Sequence, residues 1–495
     1  MTTLPVSLSK NLDRVSTSST DNSELYDLGH WRAPGFMLVV LGMTALGLFN
    51  FIQYDEWSVP AIFIIASGLV LLPAIRRALQ RSPQEMFADH LLVLAGAFMV
   101  YYVLGALLIP FGPPHQVDHL LSSYQVDAPM GMRVTAVNCI GFGLALLSGS
   151  LVRWHWVSRC ARTAIDFGRS VPQEWVIASF LVVGGASAFY VLSFDIGSGS
   201  GEVVSGLLRG MPNLLLVAIM VAAAHRGRGS VWLLLSAIVL TVMQALGGLV
   251  MLNKSSVLLP MVALLAGLAW RLGVRRVMIP GLAALLAVFL LIANPMTTAR
   301  EITGPGAPAD WSERRTILSE GILRSSHTTL DDDYLPLFRF CYLPPQGAAL
   351  DFYDTGQGGD EFLLLGWTFL PRFLFPSKPI MTQTGTEFYY KVTRQDGSSL
   401  GQGVFANGYY NLGWGGVVFV GVAVGCMLAW TSAFAAEVFR ARMLIWLPIA
   451  LLGNFMAFRI DGHFVADYWG PFVLLSYAVF GGVTMKTLLG RNHVR

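Results

Sequence analysis

The sequence predicts an all-α polytopic membrane protein with about twelve transmembrane helices and one large late extracytoplasmic loop. Three observations predict it. Hydrophobic residues make up 54% of the chain and charged residues 13%, against roughly 25% charged in an ordinary soluble domain. Apolar runs near the roughly 20 residues that cross a bilayer recur along the whole chain. One stretch, residues 295–409, breaks the pattern and is rich in Arg, Asp, Gly and aromatic residues.

Taken in order, residues 1–35 are polar and rich in Ser and Thr. That composition predicts a disordered cytoplasmic tail and no cleavable signal peptide. The membrane domain of residues 36–294 holds about nine helices, at 36–54, 58–75, 90–112, 132–152, 175–194, 211–225, 231–252, 257–270 and 277–294. The loop at 295–409 follows, and residues 410–495 add about three helices, at 410–434, 443–458 and 469–485. Basic residues occupy alternate connections: Arg76, Arg77 and Arg81, then Arg153, Arg159, Arg162 and Arg169, later Arg440 and Arg442. The connections between them carry Asp55, Glu56, Asp118, Asp127, Asp461 and Asp467. By the positive-inside rule both termini face the cytoplasm and the large loop faces outward. The net charge of +3 is spread without a basic patch, so no nucleic-acid partner is expected. Cys341 stands alone in the loop, which rules out a disulfide within it.

The loop carries the chemistry. Residues 360–375 are apolar and aromatic but interrupted at Pro371, which predicts a helix lying in the membrane interface. It leads into PRFLFPSKP, Pro371–Pro379. There Arg372 and Lys378 are framed by prolines and suit a diphosphate, Arg as a planar fork and Lys as a point charge. Arg339 adds positive potential, and Lys254 is a lone cation at an outer turn. Snorkelling towards lipid headgroups is the plainer use of such cations.

A second motif, GVFANGYYNLGWGG over Gly403–Gly416, runs into the tenth span. Asn407, Tyr409, Tyr410 and Asn411 are expected at its outer mouth, where amides and phenols beside ring faces suit a sugar. Trp414 fits an aromatic belt equally well. Arg459, Asp461, His463 and Asp467 lie in the short turn between the last two spans. His463, Glu387 and Asp461 are the candidates for a general base, His463 slightly favoured because it titrates near neutrality. Asp331–Asp333 reads more readily as a solvated turn or helix cap than as a cation site, so no metal is expected.

PRFLFPSKP followed by GVFANGYYNLGWGG, in and after a large late loop, with a basic turn at Lys254, resembles the Wzy-type polymerases of O-antigen and exopolysaccharide repeat units. The resemblance spans roughly residues 230–435 in its motifs and the remainder in topology only. It implies a glycosyltransferase of the bacterial inner membrane that acts on undecaprenyl-diphosphate-linked oligosaccharides. The growing chain moves from its lipid diphosphate onto the non-reducing end of a new repeat unit. The substrate carries its own activated bond, so the resemblance implies no cofactor. A chain-length regulator, a flippase and membrane lipids are the partners it implies. One position departs: many members have a Glu four residues ahead of the Asn-aromatic-Gly step, where Asn407 stands here, and Glu387 is a substitute. An O-antigen ligase shares the architecture and differs in acceptor. A GT-C glycosyltransferase shares an early acidic pair, here Asp55 and Glu56, but has a longer first outer loop. A secondary transporter needs ionisable groups at membrane depth, and these spans offer His90 and little else.

Overall fold

The computed structural model describes residues 28–52, 55–152, 161–162, 165, 173–197, 213–225, 230–250, 254–303, 311–327, 336–370, 374–375, 377–381, 383–394, 399–441 and 443–492. Every regular element among them is helical. The main helices are α1 (Arg32–Phe51), α2 (Ser58–Leu79), α3 (His90–Phe98, continued by a π-helical turn Met99–Leu104), α4 (Pro114–Tyr124) and α5 (Ala128–Leu151). Next come α6 (Gln173–Gly197), α7 (Asn213–Ala224), α8 (Ser230–Val250), α9 (Lys254–Leu272) and α10 (Val274–Thr303). The later part holds α11 (Trp311–His327), α12 (Leu343–Asp354), α13 (Gln383–Thr393), α14 (Val404–Ala441), α15 (Leu447–Phe458) and α16 (Gly470–Asn492).

Each sequence-predicted span falls on a helix. Among the described residues, eight helices are long and apolar enough to cross a membrane. The other apolar segments, Trp175–Tyr190, Asn213–Ala224, Ser256–Leu272 and Leu444–Phe458, are shorter. The chain is a polytopic membrane protein.

Two units make up the fold. In the smaller, built from Ser179–Ser193 and the helices within Val203–Phe289, Leu215, Ile219, Ala223 and Ala237 form a core of their own. Gly267 of α9 lies so close to the Met220 carbonyl that a Cβ would collide with it.

The larger unit is organised around α5, which packs along α1 on one side and α14 on the other. Small residues allow the approach. A Cβ at Gly35 would meet the Gly143 carbonyl at 2.9 Å, and one at Gly421 would meet the Gly141 carbonyl at 2.6 Å. Gly421 and Gly425 thus form the close-packing pair their four-residue spacing suggests. The two ends of this unit differ in charge. At one end Arg32 donates to the Ser150 carbonyl, Arg81 and His30 face the buried Asp89, and Arg162 and Arg440 pair with Glu437. At the other end lie the start of α14 and the turn between α15 and α16.

Three expectations change. The bundle extends ahead of residue 36: Trp31 is fully buried and its indole N–H donates to Asp89 at 3.4 Å, so residues 28–35 belong to it, and the rest of the predicted tail, residues 1–27, lies outside the described residues. The stretch 360–375 is not one interfacial helix. Two 3-10 turns, Glu361–Leu364 and Gly366–Phe369, replace it. Finally, residues 295–409 are not all loop. Helix α10 runs on to Thr303, and α12 sinks into the bundle with Leu343–Leu350 buried. Pro344 and Pro345 sit in its first turn, where no intrahelical N–H is lost. Its Gln346 amide exchanges hydrogen bonds of 2.9 and 3.3 Å with Asn138, on α5.

Candidate functional site

Two segments far apart in sequence meet where α14 begins. One is the Gly403–Gly416 motif and the other is the turn 459–467. The backbone joins them: the N–H groups of Gly403 and Val404 donate to the carbonyls of Asp461 (3.1 Å) and Ile460 (2.9 Å). The Tyr102 hydroxyl donates to the same Ile460 carbonyl at 2.5 Å. Gly403 has φ +77°, and a Cβ there would stand 2.5 Å from both the Tyr102 hydroxyl and the Gln346 amide. A side chain at this position would be strained and would also lack room.

Asn407 is the hub, with 0% exposure. Its Oδ1 accepts the Phe464 N–H at 3.1 Å, which fixes the orientation of the amide. Its Nδ2 donates to Glu361 Oε2 at 2.7 Å and to Gln402 Oε1 at 2.6 Å. The imidazole of His463 lies against the same carboxylate, Nδ1 3.5 Å from Glu361 Oε2, while Nε2 is 3.3 Å from the Leu400 carbonyl. Glu361 is 3% exposed and His463 7%, so water screens this pair little. Burial pushes the His463 imidazole down. The hydrogen bond and charge of Glu361, with Asp467 and the Leu400 carbonyl behind them, outweigh it and hold the pKa above the ordinary histidine value.

A second polar layer supports this one. The His463 N–H donates to Asp467 Oδ2 at 2.8 Å. Arg459 stands 3.3 Å from Asp467 and 3.9 Å from Asp461. The Tyr342 hydroxyl donates to Asp461 at 3.0 Å. Burial raises the Asp461 carboxyl above the usual carboxylate range, against the pull of Arg459 and Tyr342. Asp461 is therefore a partner in an ion network rather than a free carboxylate.

The remaining motif residues are engaged elsewhere. The Tyr409 hydroxyl donates to Asp354 at 3.0 Å, and Arg133 of α5 binds both Asp354 and Tyr409, its guanidinium 5.0 Å from the centre of the Tyr409 ring. Lys391 donates to the Tyr410 hydroxyl at 2.7 Å. Asn411 donates to the Asn407 carbonyl at 2.8 Å. Asn407, Tyr409, Tyr410 and Asn411 are buried and do not line an open mouth. Helix α14 starts at Val404, ahead of the expected residue 410, and carries all of them into the protein.

Glu387 is exposed on α13, the helix whose Gly385 packs against His463. The Lys378 ammonium donates to the Leu370 carbonyl at 2.9 Å. Arg339 is exposed in a 3-10 turn, Pro336–Phe340. Lys254 opens α9 in the smaller unit. Arg372 and Asp331–Asp333 lie outside the described residues. The structure thus gathers Asn407, Asn411, Asp461 and His463, while Glu387 and Arg339 remain on the surface.

Sequence reasoning missed Glu361. It heads the apolar run EFLLLGWTF, and a carboxylate at the head of such a run needs a buried partner to be tolerated. No spacing ties it to His463, however, so the pair becomes visible only in three dimensions.

No family model matches the chain, and no curated protein or solved structure matches it either.

Proposed function

We propose that the protein polymerises undecaprenyl-diphosphate-linked oligosaccharide repeat units into a surface polysaccharide, as a glycosyltransferase at the outer face of the bacterial inner membrane. The observation that carries this reading is the meeting of Asn407, from the polymerase-like motif, with His463 and Glu361 in one buried polar cluster. That cluster lies at the end of the larger unit opposite Arg32, Arg81, Arg162 and Arg440. Applied to this distribution, the positive-inside rule assigns the cluster's end to the outer face.

In this reading the acceptor hydroxyl gives its proton to His463 Nε2 as its oxygen attacks the anomeric carbon. The bond from that carbon to the diphosphate oxygen breaks, and undecaprenyl diphosphate leaves with the electron pair. General-base catalysis of this kind contributes typically about 10²- to 10⁴-fold. The leaving diphosphate needs cations where its charge develops, and Lys378 and Arg372 are assigned that role on the resemblance of PRFLFPSKP. Arg459, paired with Asp467 and Asp461, stays charged beside the base and sets its electrostatic surroundings.

A strain lacking the protein tests the reading through its glycolipids. The expected result is lipid-linked or surface-attached material capped at one repeat unit. Retention of full-length polymer on the lipid carrier, with only its transfer to the cell surface lost, would mark a ligase instead. An unchanged polysaccharide profile would remove both.

A further inference from the structure

Every hydrogen on the Asn407 amide is spoken for. Its orientation is set by the Phe464 N–H, and its two N–H bonds point to Glu361 and Gln402. Asn407 Nδ2 also lies 3.5 Å from His463 Nδ1, but it has no hydrogen left to donate there. The group near Nδ1 that can complete a hydrogen bond is therefore the acceptor, Glu361 Oε2, at 3.5 Å. This requires the proton to sit on Nδ1. On the far side of the ring, Nε2 faces the Leu400 carbonyl at 3.3 Å. A carbonyl also only accepts, so the ring in this arrangement carries protons on both nitrogens.

From this geometry we infer that Glu361 is a positioning residue: it holds a proton on His463 Nδ1, so that Nε2 is the nitrogen that exchanges its proton with substrate. The inference rests on the proposed role of His463, but its structural content is independent of the reaction. Glu361 Oε2 is the only carboxylate oxygen among the described residues within 4 Å of the ring nitrogens. Asp467, the other nearby acid, is turned to the His463 backbone N–H and to Arg459. The charged groups acting on the ring are thus Glu361 and Asp467, with Arg459 facing Asp467 behind them. Glu361 Oε1 is buried and has no hydrogen-bond partner. A carboxylate left half-satisfied is costly, and the charge it brings to the imidazole is what the burial of Glu361 provides in return. Deprotonation of Nε2 leaves a lone pair aimed at the Leu400 carbonyl. Base function therefore goes with withdrawal of Leu400, whose own N–H is held by the Gly385 carbonyl at 3.1 Å.

The test is nitrogen NMR of histidine-labelled protein in lipid nanodiscs. The His463 signals are picked out from those of the nine histidines by subtraction against His463→Gln. In the wild type the neutral ring should carry its proton on Nδ1 and should titrate above about 6.5. In Glu361→Gln the lost charge should lower the proton affinity of His463 about tenfold or more. Glu361→Asp should retain part of the effect. A purely structural carboxylate would leave tautomer and titration unchanged in Glu361→Gln, and that result overturns the inference. A wild-type neutral ring protonated on Nε2 overturns it too, and needs no variant to fold. If the titration moves in Glu361→Gln but the acid limb of the transfer rate does not, positioning by Glu361 stands and the base role of His463 falls.

Discussion

His463→Ala should lower the rate of repeat-unit transfer about 10²- to 10⁴-fold while the protein still accumulates in the membrane and still binds its lipid-linked substrate. The effect is large because the imidazole is one half of a buried pair with Glu361 and because an unperturbed imidazole changes charge near neutrality. The pH dependence follows from the direction of its shift. His463 is raised above the ordinary value, so the base form appears only as pH climbs above about 6.5, and the rate should rise through that window. The stabilisation the imidazolium gives the fold has the opposite dependence. It is fully present below the unfolded-state value and is lost as pH rises through the folded one. Glu387→Gln, at an exposed position, should leave the rate near wild type. Asp461→Asn should mainly weaken the Arg459 and Tyr342 network. Single-turnover transfer with lipid-linked substrate separates the three variants, and near-normal rates in His463→Ala would remove it as the base.

Gly413→Ala should be strongly destabilising. Helix α14 is broken at Leu412 (φ −142°, ψ 20°) and Gly413 (φ 59°, ψ −143°), a conformation that strongly disfavours any side chain. A Cβ there would also stand 2.8 Å from the Tyr353 ring edge and hydroxyl. The break brings Gly416 against the Gly408 carbonyl so closely that no side chain fits at Gly416. Backbone strain and overpacking together cost about 2–4 kcal/mol. Gly415, two residues on, has open space where its Cβ would go. Thermal unfolding in detergent should therefore show Gly413→Ala well below wild type and Gly415→Ala close to it. Equal midpoints for the two variants would contradict the kink.

The helices were legible because each is a long apolar run whose composition reports its environment directly. Residues 36–54 became α1 and 132–152 became α5 with little displacement. The motif at Gly403–Gly416 was legible as a special segment through its glycines, but its depth was not. Polar side chains such as Asn407 read as surface until their partners are known, and those partners, Glu361, Gln402 and Phe464, are spread over some hundred residues of chain. Helix α12 was missed for a related reason. Its buried stretch is shorter than a membrane span, begins with two prolines and contains Gln346, whose partner Asn138 lies 208 residues away. The proposed base was found because a lone histidine in a short acidic turn is conspicuous. Its companion Glu361 was hidden because no sequence period links a 3-10 turn to a distant loop.

The central claim is tested most directly by supplying purified protein in proteoliposomes with synthetic undecaprenyl-diphosphate-linked repeat units and resolving the lipid-linked products by length. The account predicts a ladder of two, three and more repeats with release of undecaprenyl diphosphate, abolished in His463→Ala. Unreacted single repeats with well-folded wild-type protein, or transfer only after a lipid A core acceptor is added, would contradict it.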